Sequence, residues 1–316
     1  MSVSHLRAML ITAGFGTRLA PLTDLLPKPA VPVANRPTAW FSLDHLARAG
    51  ITDVVLNTHH LAQALETSLR AVAPRSQQLR FVFEPEILGT GGGVKNAWQP
   101  RPGETFLVMN GKLVFAPDLE AAYALHTSSA AFASMIVKEV DASDPTGVVL
   151  IDAQGRVRGL PGHAAAESGG LRRCMYTGVS LLSEGVHARL PDNGCLIREG
   201  YARWLAAGEN VRAFVEPSRF RDVGMSHWHY LEANLALASG AERWPEITPV
   251  SGSLIDATAQ LGASVALQSC VIGAGAQIAP SAQLTRCVLW PGARAEGTHQ
   301  DSVFLPGGRS VRVQAR

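Results

Sequence analysis

The chain has 316 residues, 47% of them hydrophobic and 17% charged, with a formal net charge of +2, enough material for a large core and a smaller appendage rather than one small module. Both signs of charge are scattered, with no block of five or six lysines or arginines, which excludes the strong field that holds a nucleic-acid backbone. There is no run of eighteen apolar residues, and "MSVSHLRAMLITAG" lacks a cleavage site and a long apolar stretch, so a soluble cytoplasmic protein without a membrane partner is expected.

From residue 6 to about 240, short apolar runs alternate with helix-like segments, the pattern of a parallel sheet wrapped by helices. "LRAMLIT" reads as the first strand. "PTAWFSLDHLARAG" reads as a helix, with Pro37 at its start and Gly50 as its stop. "TDVVLN", "LRFVFE" and "FLVMN" read as further strands, with "LAQALETSLRAV" as a helix between the first two. In open sheets of this kind ligands bind beyond the carboxyl ends of the strands, so Ala13, Asn57, Glu84 and Asn110 should finish near one edge and mark the site. Asn110-Gly111 signals a sharp turn. Cys174, Cys195, Cys270 and Cys287 have no CxxC spacing and read as reduced structural thiols. The pairs His59-His60 and His227/His229 point apart on regular elements and do not suggest a metal site.

After residues 242–249 the texture changes. Ile255, Leu261 and Leu267 stand six apart, as do Ile272, Ile278 and Leu284, and "SCVIGAGA" is echoed by "RCVLWPGA" 17 residues later. A hexad with small residues between aliphatic ones predicts about three coils of a parallel β-helix over residues 250–316, each aliphatic side chain pointing inside. Its exposed ends are unpaired edges, suited to docking a second copy or a paralogue. One histidine, His299, and so few coils argue against an acyltransferase role.

The segment most suggestive of chemistry is "ITAGFGTRLAPLTDLLPKPAVPVANRP", residues 11–37. Gly14 and Gly16 allow backbone amides to form a nest for phosphate oxygens. Arg18 adds a planar cation suited to bidentate phosphate contact, and Lys28, held between two prolines, adds a point charge. The dinucleotide fingerprint fails because Leu19 stands where a third glycine belongs, and no GK[ST] follows for a P-loop.

The run from Gly14 to Pro29 fits GxGTRLxPLTxxxPKP and resembles the sugar-1-phosphate nucleotidyltransferases, also called nucleotide-sugar pyrophosphorylases. "EPEILGTGGGVKNA" (84–97) resembles that family's base-binding segment, "YTGVSLL" (176–182) its sugar-binding turn and "FRDVGMSHWHYLEAN" (220–234) its second metal-ligand stretch. "NTHHLAQAL" (57–65) is similar to the subgroup of mannose-1-phosphate guanylyltransferases and N-acetylmuramate 1-phosphate uridylyltransferase. The resemblance implies a Rossmann-like α/β nucleotidyltransferase domain with a mostly parallel sheet at 1–241, followed by a short left-handed parallel β-helix. It implies transfer of a nucleoside monophosphate from a nucleoside triphosphate to a sugar 1-phosphate, releasing pyrophosphate and forming a nucleotide sugar. Such a step requires positioning and charge neutralisation more than covalent chemistry. By the same resemblance, the amides of Ala13, Gly14, Gly16 and Thr17 and the Arg18 side chain hold the triphosphate. Lys28 steadies charge near the α-phosphate, Thr90 and Gly91 meet the base, and Asn110 and Gly178 meet the sugar.

The family pattern breaks once where it matters. A strand that ends Asn-Gly-Asp in the family, giving one of two magnesium-binding aspartates, ends here Asn110-Gly111-Lys112, while the second aspartate is kept as Asp222. Magnesium, the cofactor expected from the family, loses an anionic ligand and meets a like charge. Met225 also replaces a threonine of the second motif. Three readings follow: an enzyme in which the Lys112 ammonium takes over part of the metal's role, a catalytically silent nucleotide-sugar-binding homologue, or an engineered substitution in an ordinary enzyme. The family's Glu-Lys-Pro motif is absent before Tyr176, where "GLPGHAAAESGGLRRCM" offers Arg172 and Arg173 instead.

Overall fold

The computed structural model describes residues 2–141, 143–146, 148–160 and 170–314. They form two compact units: Met1–Gly14, Ser42–Gly111 and Phe115–Phe220 in the first, and Phe15–Phe41, Lys112–Val114 and Arg221–Arg316 in the second. The change of texture at 242–249 falls inside the second unit, because residues 15–41 and 221–241 group with the coils that follow.

The first unit is built on a nine-stranded sheet. Thr105–Asn110, Arg7–Ile11, Asp53–Thr58 and Gln78–Phe83 lie side by side, all parallel, with Ile11 beside Asn110 and Thr58 beside Phe83. Their carboxyl ends therefore share one edge, as the sequence predicts. Their near-continuous apolar runs suit a sheet covered on both faces. Met9, Val55 and Val108 are buried there, and Trp98 stacks on Phe106 with ring centroids 4.8 Å apart. The rest of the sheet is mixed. The 12-residue strand Arg172–Ser183 runs antiparallel to Thr105–Asn110, Ala133–Glu139 and Val149–Ile151, while Val211–Val215 runs parallel to Ala133–Glu139. The chain turns at Gly111-Lys112, as the Asn110-Gly111 pair predicts. The next strand, Leu113–Phe115, pairs with Phe220–Asp222 and leaves the sheet.

In the second unit, strands between residues 254 and 304 stack in parallel, first at an offset of 17 residues, Leu254 on Val271, Gln260 on Gln277 and Ala266 on Gln283, and again Val271 on Val288 and Gln277 on Arg294, and then at an offset of 15, Gln283 on Thr298 and Val288 on Val303. Each coil carries three short strands, as in a β-helix. Ile272, Ile278 and Leu284 are buried. Ile255 and Leu261, expected inside by the hexad rule, are each 45% exposed, because their strands have a neighbouring coil on one side only. The last strand, Ser310–Arg312, turns back antiparallel on Thr298–Phe304 and ends the stack.

Candidate active site

In the first unit the strand ends are tied by a buried polar network. Asn57 Oδ1 accepts from the amides of Thr12 (2.8 Å) and Ala13 (3.3 Å), and Asn57 Nδ2 donates to Glu84 Oε1 (2.8 Å). Glu84 Oε2 accepts from the Leu88 amide at 3.2 Å. Asn57 and Glu84 are buried, so each polar atom they bring inside is matched by a partner. This network sets the backbone at Ala13 and the start of the glycine-rich helix Gly89–Ala97. Gly14 follows, with open space where a Cβ would stand.

Thr90 and Gly91 lie on that helix and are held by the segment 191–196. Leu196 N donates to Thr90 Oγ1 and Gly91 N to the Gly194 carbonyl, both at 2.8 Å. The Gly91 amide is thus engaged within the chain. The sequence motif carried no sign of this partner, which lies about a hundred positions away. Asn110 and Gly178 do come together: a Cβ on Gly178 would fall 2.2 Å from Asn110 Nδ2, and the residue has φ +84°, so only glycine fits. Arg172 and Arg173 begin the long strand, but residues 161–169 of the stretch before it lie outside the described residues.

The second unit gathers the charged residues. Gly16 accepts from Leu19 N and Thr23 Oγ1, which folds Thr17 and Arg18 into a single turn of helix, Thr17–Leu19. Lys28 opens the turn Lys28–Ala30, and its Nζ donates to the Gly224 carbonyl at 3.4 Å. Lys112 Nζ donates to Asp222 Oδ2 at 2.5 Å, while Asp222 Oδ1 accepts from Gly224 N at 2.8 Å. Val223 N donates to the Lys112 carbonyl, which fixes the two chain segments against each other. Gly224 is the floor of the cluster: a Cβ there would lie 2.8 Å from the Cδ of both Lys28 and Lys112. Arg18 reaches Met225, with Nη1 3.8 Å from Sδ.

Three cations thus gather about the segment 222–225, and among the described residues the ion pair found there is that of Lys112 with Asp222. Lys28 registers both its burial and these neighbours. Burial, reinforced by Lys112 and Arg18 and opposed by Asp222, pushes its ammonium pKa down to about 8. A polyanion such as a triphosphate would relieve that strain of like charges.

A magnesium ion needs several hard oxygen ligands in near-octahedral array. Asp222, the expected metal ligand, has one oxygen on the Lys112 ammonium and the other on a backbone amide. Among the described residues no group of three or more His, Cys, Asp or Glu side chains is placed to hold a metal ion. These residues do not fit magnesium.

The nucleotidyl transferase family model matches residues 7–239, and the chain belongs to that family. Among its relatives are a UTP–glucose-1-phosphate uridylyltransferase of Synechocystis sp., 32% identical over 48% of this chain and 42% of the relative, and a mannose-1-phosphate guanylyltransferase of Mycobacterium tuberculosis, 28% identical over 71% and 62%. The chain spans less than two thirds of the length of these two curated relatives. A solved structure of HddC from Yersinia pseudotuberculosis complexed with GMP-PN shares the fold, with TM-score 0.59, 23% identity, and coverage of 72% of this chain and 98% of that one. So does a UDP-glucose pyrophosphorylase from Acinetobacter baumanii, with TM-score 0.62, 21% identity, and coverage of 77% and 95%. Among the described residues no helix is long and apolar enough to cross a membrane.

Proposed function

We propose that the protein transfers a nucleoside monophosphate from a nucleoside triphosphate to a sugar 1-phosphate, with fixed cations doing the work that its family assigns to magnesium. A sugar phosphate oxygen attacks the α-phosphorus in line, the bond to the bridging oxygen breaks, and pyrophosphate leaves with the electron pair. Charge builds on the transferring and departing phosphates, and preorganised cations stabilise it. Arg18, Lys28 and Lys112 are assigned that role, with the amides of Ala13, Gly14, Gly16 and Thr17 as further donors. Thr90 and Gly91 are assigned to the base and Asn110 and Gly178 to the sugar, on the family resemblance. The observation that carries the reading is the Lys112–Asp222 ion pair beside Lys28, an ammonium where the family keeps a carboxylate.

The same pair favours one second reading, a silent binder of nucleotide sugars, since one unit of charge stands in for two. The named relatives suggest where to begin: GTP with mannose 1-phosphate and UTP with glucose 1-phosphate, then the remaining triphosphates and sugar phosphates. Pyrophosphate release in EDTA supports the metal-independent transferase. Nucleotide binding without release supports the silent homologue, and no heat with any nucleotide in calorimetry overturns both. The reading further takes residues 1–241 as the nucleotidyltransferase domain and 250–316 as an appended left-handed β-helix. A cytoplasmic location, and assembly with a second copy or a paralogue through the exposed coil end, belong to the same proposal.

A further inference from the structure

The proline-flanked lysine segment is held from one side by its own unit. After Lys28–Ala30 the chain makes a small hairpin, Pro32–Val33 against Arg36–Pro37, whose tip residues Ala34 and Asn35 have φ 47° and 62°. Thr38 closes it, with both N and Oγ1 donating to the Val31 carbonyl. The helix His227–Ala238 grips this hairpin: Asn234 Oδ1 accepts from Ala34 N at 2.9 Å, and Tyr230 OH donates to the Pro32 carbonyl at 2.7 Å. The coils grip it as well. Asn35 Nδ2 donates to the Ile272 carbonyl at 2.8 Å, and Trp290 Nε1 donates to Tyr230 OH at 2.9 Å. Arg286, on the same coil as Trp290, lies over Trp228 and donates to Glu232, fixing the helix to the coils a second time.

Tyr230 is fully buried, and its hydroxyl is both donor and acceptor in the relay Trp290 → Tyr230 → Pro32. A buried relay whose members are all satisfied defines one geometry, because any shift leaves a polar group unpaired. Four residues before Pro32 stands Lys28, and two residues before the helix cap Ser226 stands Gly224, whose carbonyl accepts from Lys28. The lysine is therefore set at both ends by the same helix.

We propose that Tyr230, with Trp290 and Asn35, is a positioning device through which the β-helix sets the Lys28 ammonium. This rests on the reading of Lys28 as a phosphate-binding cation, but its structural half can be tested apart from that reading. The coils are then part of the phosphate site's foundation, which is a more specific role than docking.

The test uses the full chain and the variants Tyr230→Phe, Trp290→Phe and Asn35→Gly, the last keeping the left-handed backbone while removing the amide. Tyr201→Phe serves as the matched control, since it also deletes a buried hydroxyl, one that donates to Ser180 in the first unit. Two readouts are taken: the rate of acetic anhydride labelling of each lysine by mass spectrometry, and the affinity for inorganic tripolyphosphate. Lys28 should label 3–10 times faster in the three variants and at the parent rate in Tyr201→Phe. Lys138, held by the Glu216 and Ser218 carbonyls, is the internal reference and should not change. Tripolyphosphate affinity should fall 3–10-fold in the same three variants. An unchanged Lys28 rate in Tyr230→Phe and Asn35→Gly overturns the proposal. Faster labelling in a protein whose parent form ignores tripolyphosphate upholds the brace and refutes the phosphate role of Lys28 instead.

Discussion

Exchanging Lys112 for aspartate is the perturbation whose outcome the structure defines best. Lys112 Nζ stands 2.5 Å from Asp222 Oδ2, with side-chain exposures of 23% and 16%. At an effective dielectric of about 20, two unit charges this close attract by roughly 6–7 kcal/mol, most of which desolvation offsets, leaving a net of about 1–3 kcal/mol. Lys112→Asp reverses the sign. Two carboxylates about 4 Å apart repel by roughly 4 kcal/mol on the same scale, about three decades in an equilibrium constant, and the cluster loses a cation. Only a divalent ion or a shared proton relieves that repulsion. Calorimetry of the best-bound nucleotide should therefore show less than about threefold change between EDTA and millimolar magnesium for the parent, while Lys112→Asp should gain at least about thirtyfold from magnesium. If EDTA abolishes binding by the parent, or magnesium leaves Lys112→Asp unchanged, the assignment of Lys112 as the resident cation is refuted.

Three further outcomes follow from the geometry. Lys28 has its pKa lowered to about 8, and a bound triphosphate favours its charged form, so binding takes up a proton above that pH. Affinity should hold below pH 8 and fall up to about tenfold per pH unit above it, and calorimetry should find this slope removed in Lys28→Arg, whose charge persists. His126 is buried between Ser134 and Ser183, and burial lowers its pKa from 6.5 to about 4. Its neutral form belongs to the fold, so stability is full above the unfolded value and falls as pH drops from 6.5 toward 4. Urea titrations should show a loss of roughly 2 kcal/mol between pH 7 and pH 5 that His126→Asn reduces. Gly178→Ala should cost about 2–4 kcal/mol in thermal unfolding and raise KM for the sugar phosphate, because the new Cβ would need the place of the Asn110 amide, 2.2 Å away, at a φ of +84°.

What the sequence disclosed follows the range over which it acts. The four parallel strands were legible because each is a continuous apolar run with a helical pattern or a glycine beside it, and the coil repeat because its period is written in Ile272, Ile278 and Leu284. The antiparallel pairings of Arg172–Ser183 were not, since the partners of that strand are chosen by the packing of distant segments. Of the candidate site, the glycine-arginine-lysine loop and the anomaly at Lys112 could be read directly. The Asn57–Glu84 network could have been suspected from polar residues placed at consecutive strand ends, but its bonds depend on register. Gly224 beneath two lysine stems, and Tyr230 between Pro32 and Trp290, join positions up to two hundred residues apart and leave no local periodicity. Ile255 and Leu261 show the opposite failure, where a correct repeat says nothing of which coil is last.

The 17-residue step also sets what this chain could tolerate. The bonds described above from the coils to the hairpin and helix leave from Ile272, Arg286 and Trp290, and the strands of the coil before them, with Ile255 and Leu261, have a neighbouring coil on one side only. A duplication of one full step at that free side would add a turn in register and shift none of the residues that hold Lys28. Variation in repeat number is thus expected to accumulate there, in whole coils rather than in fractions of one.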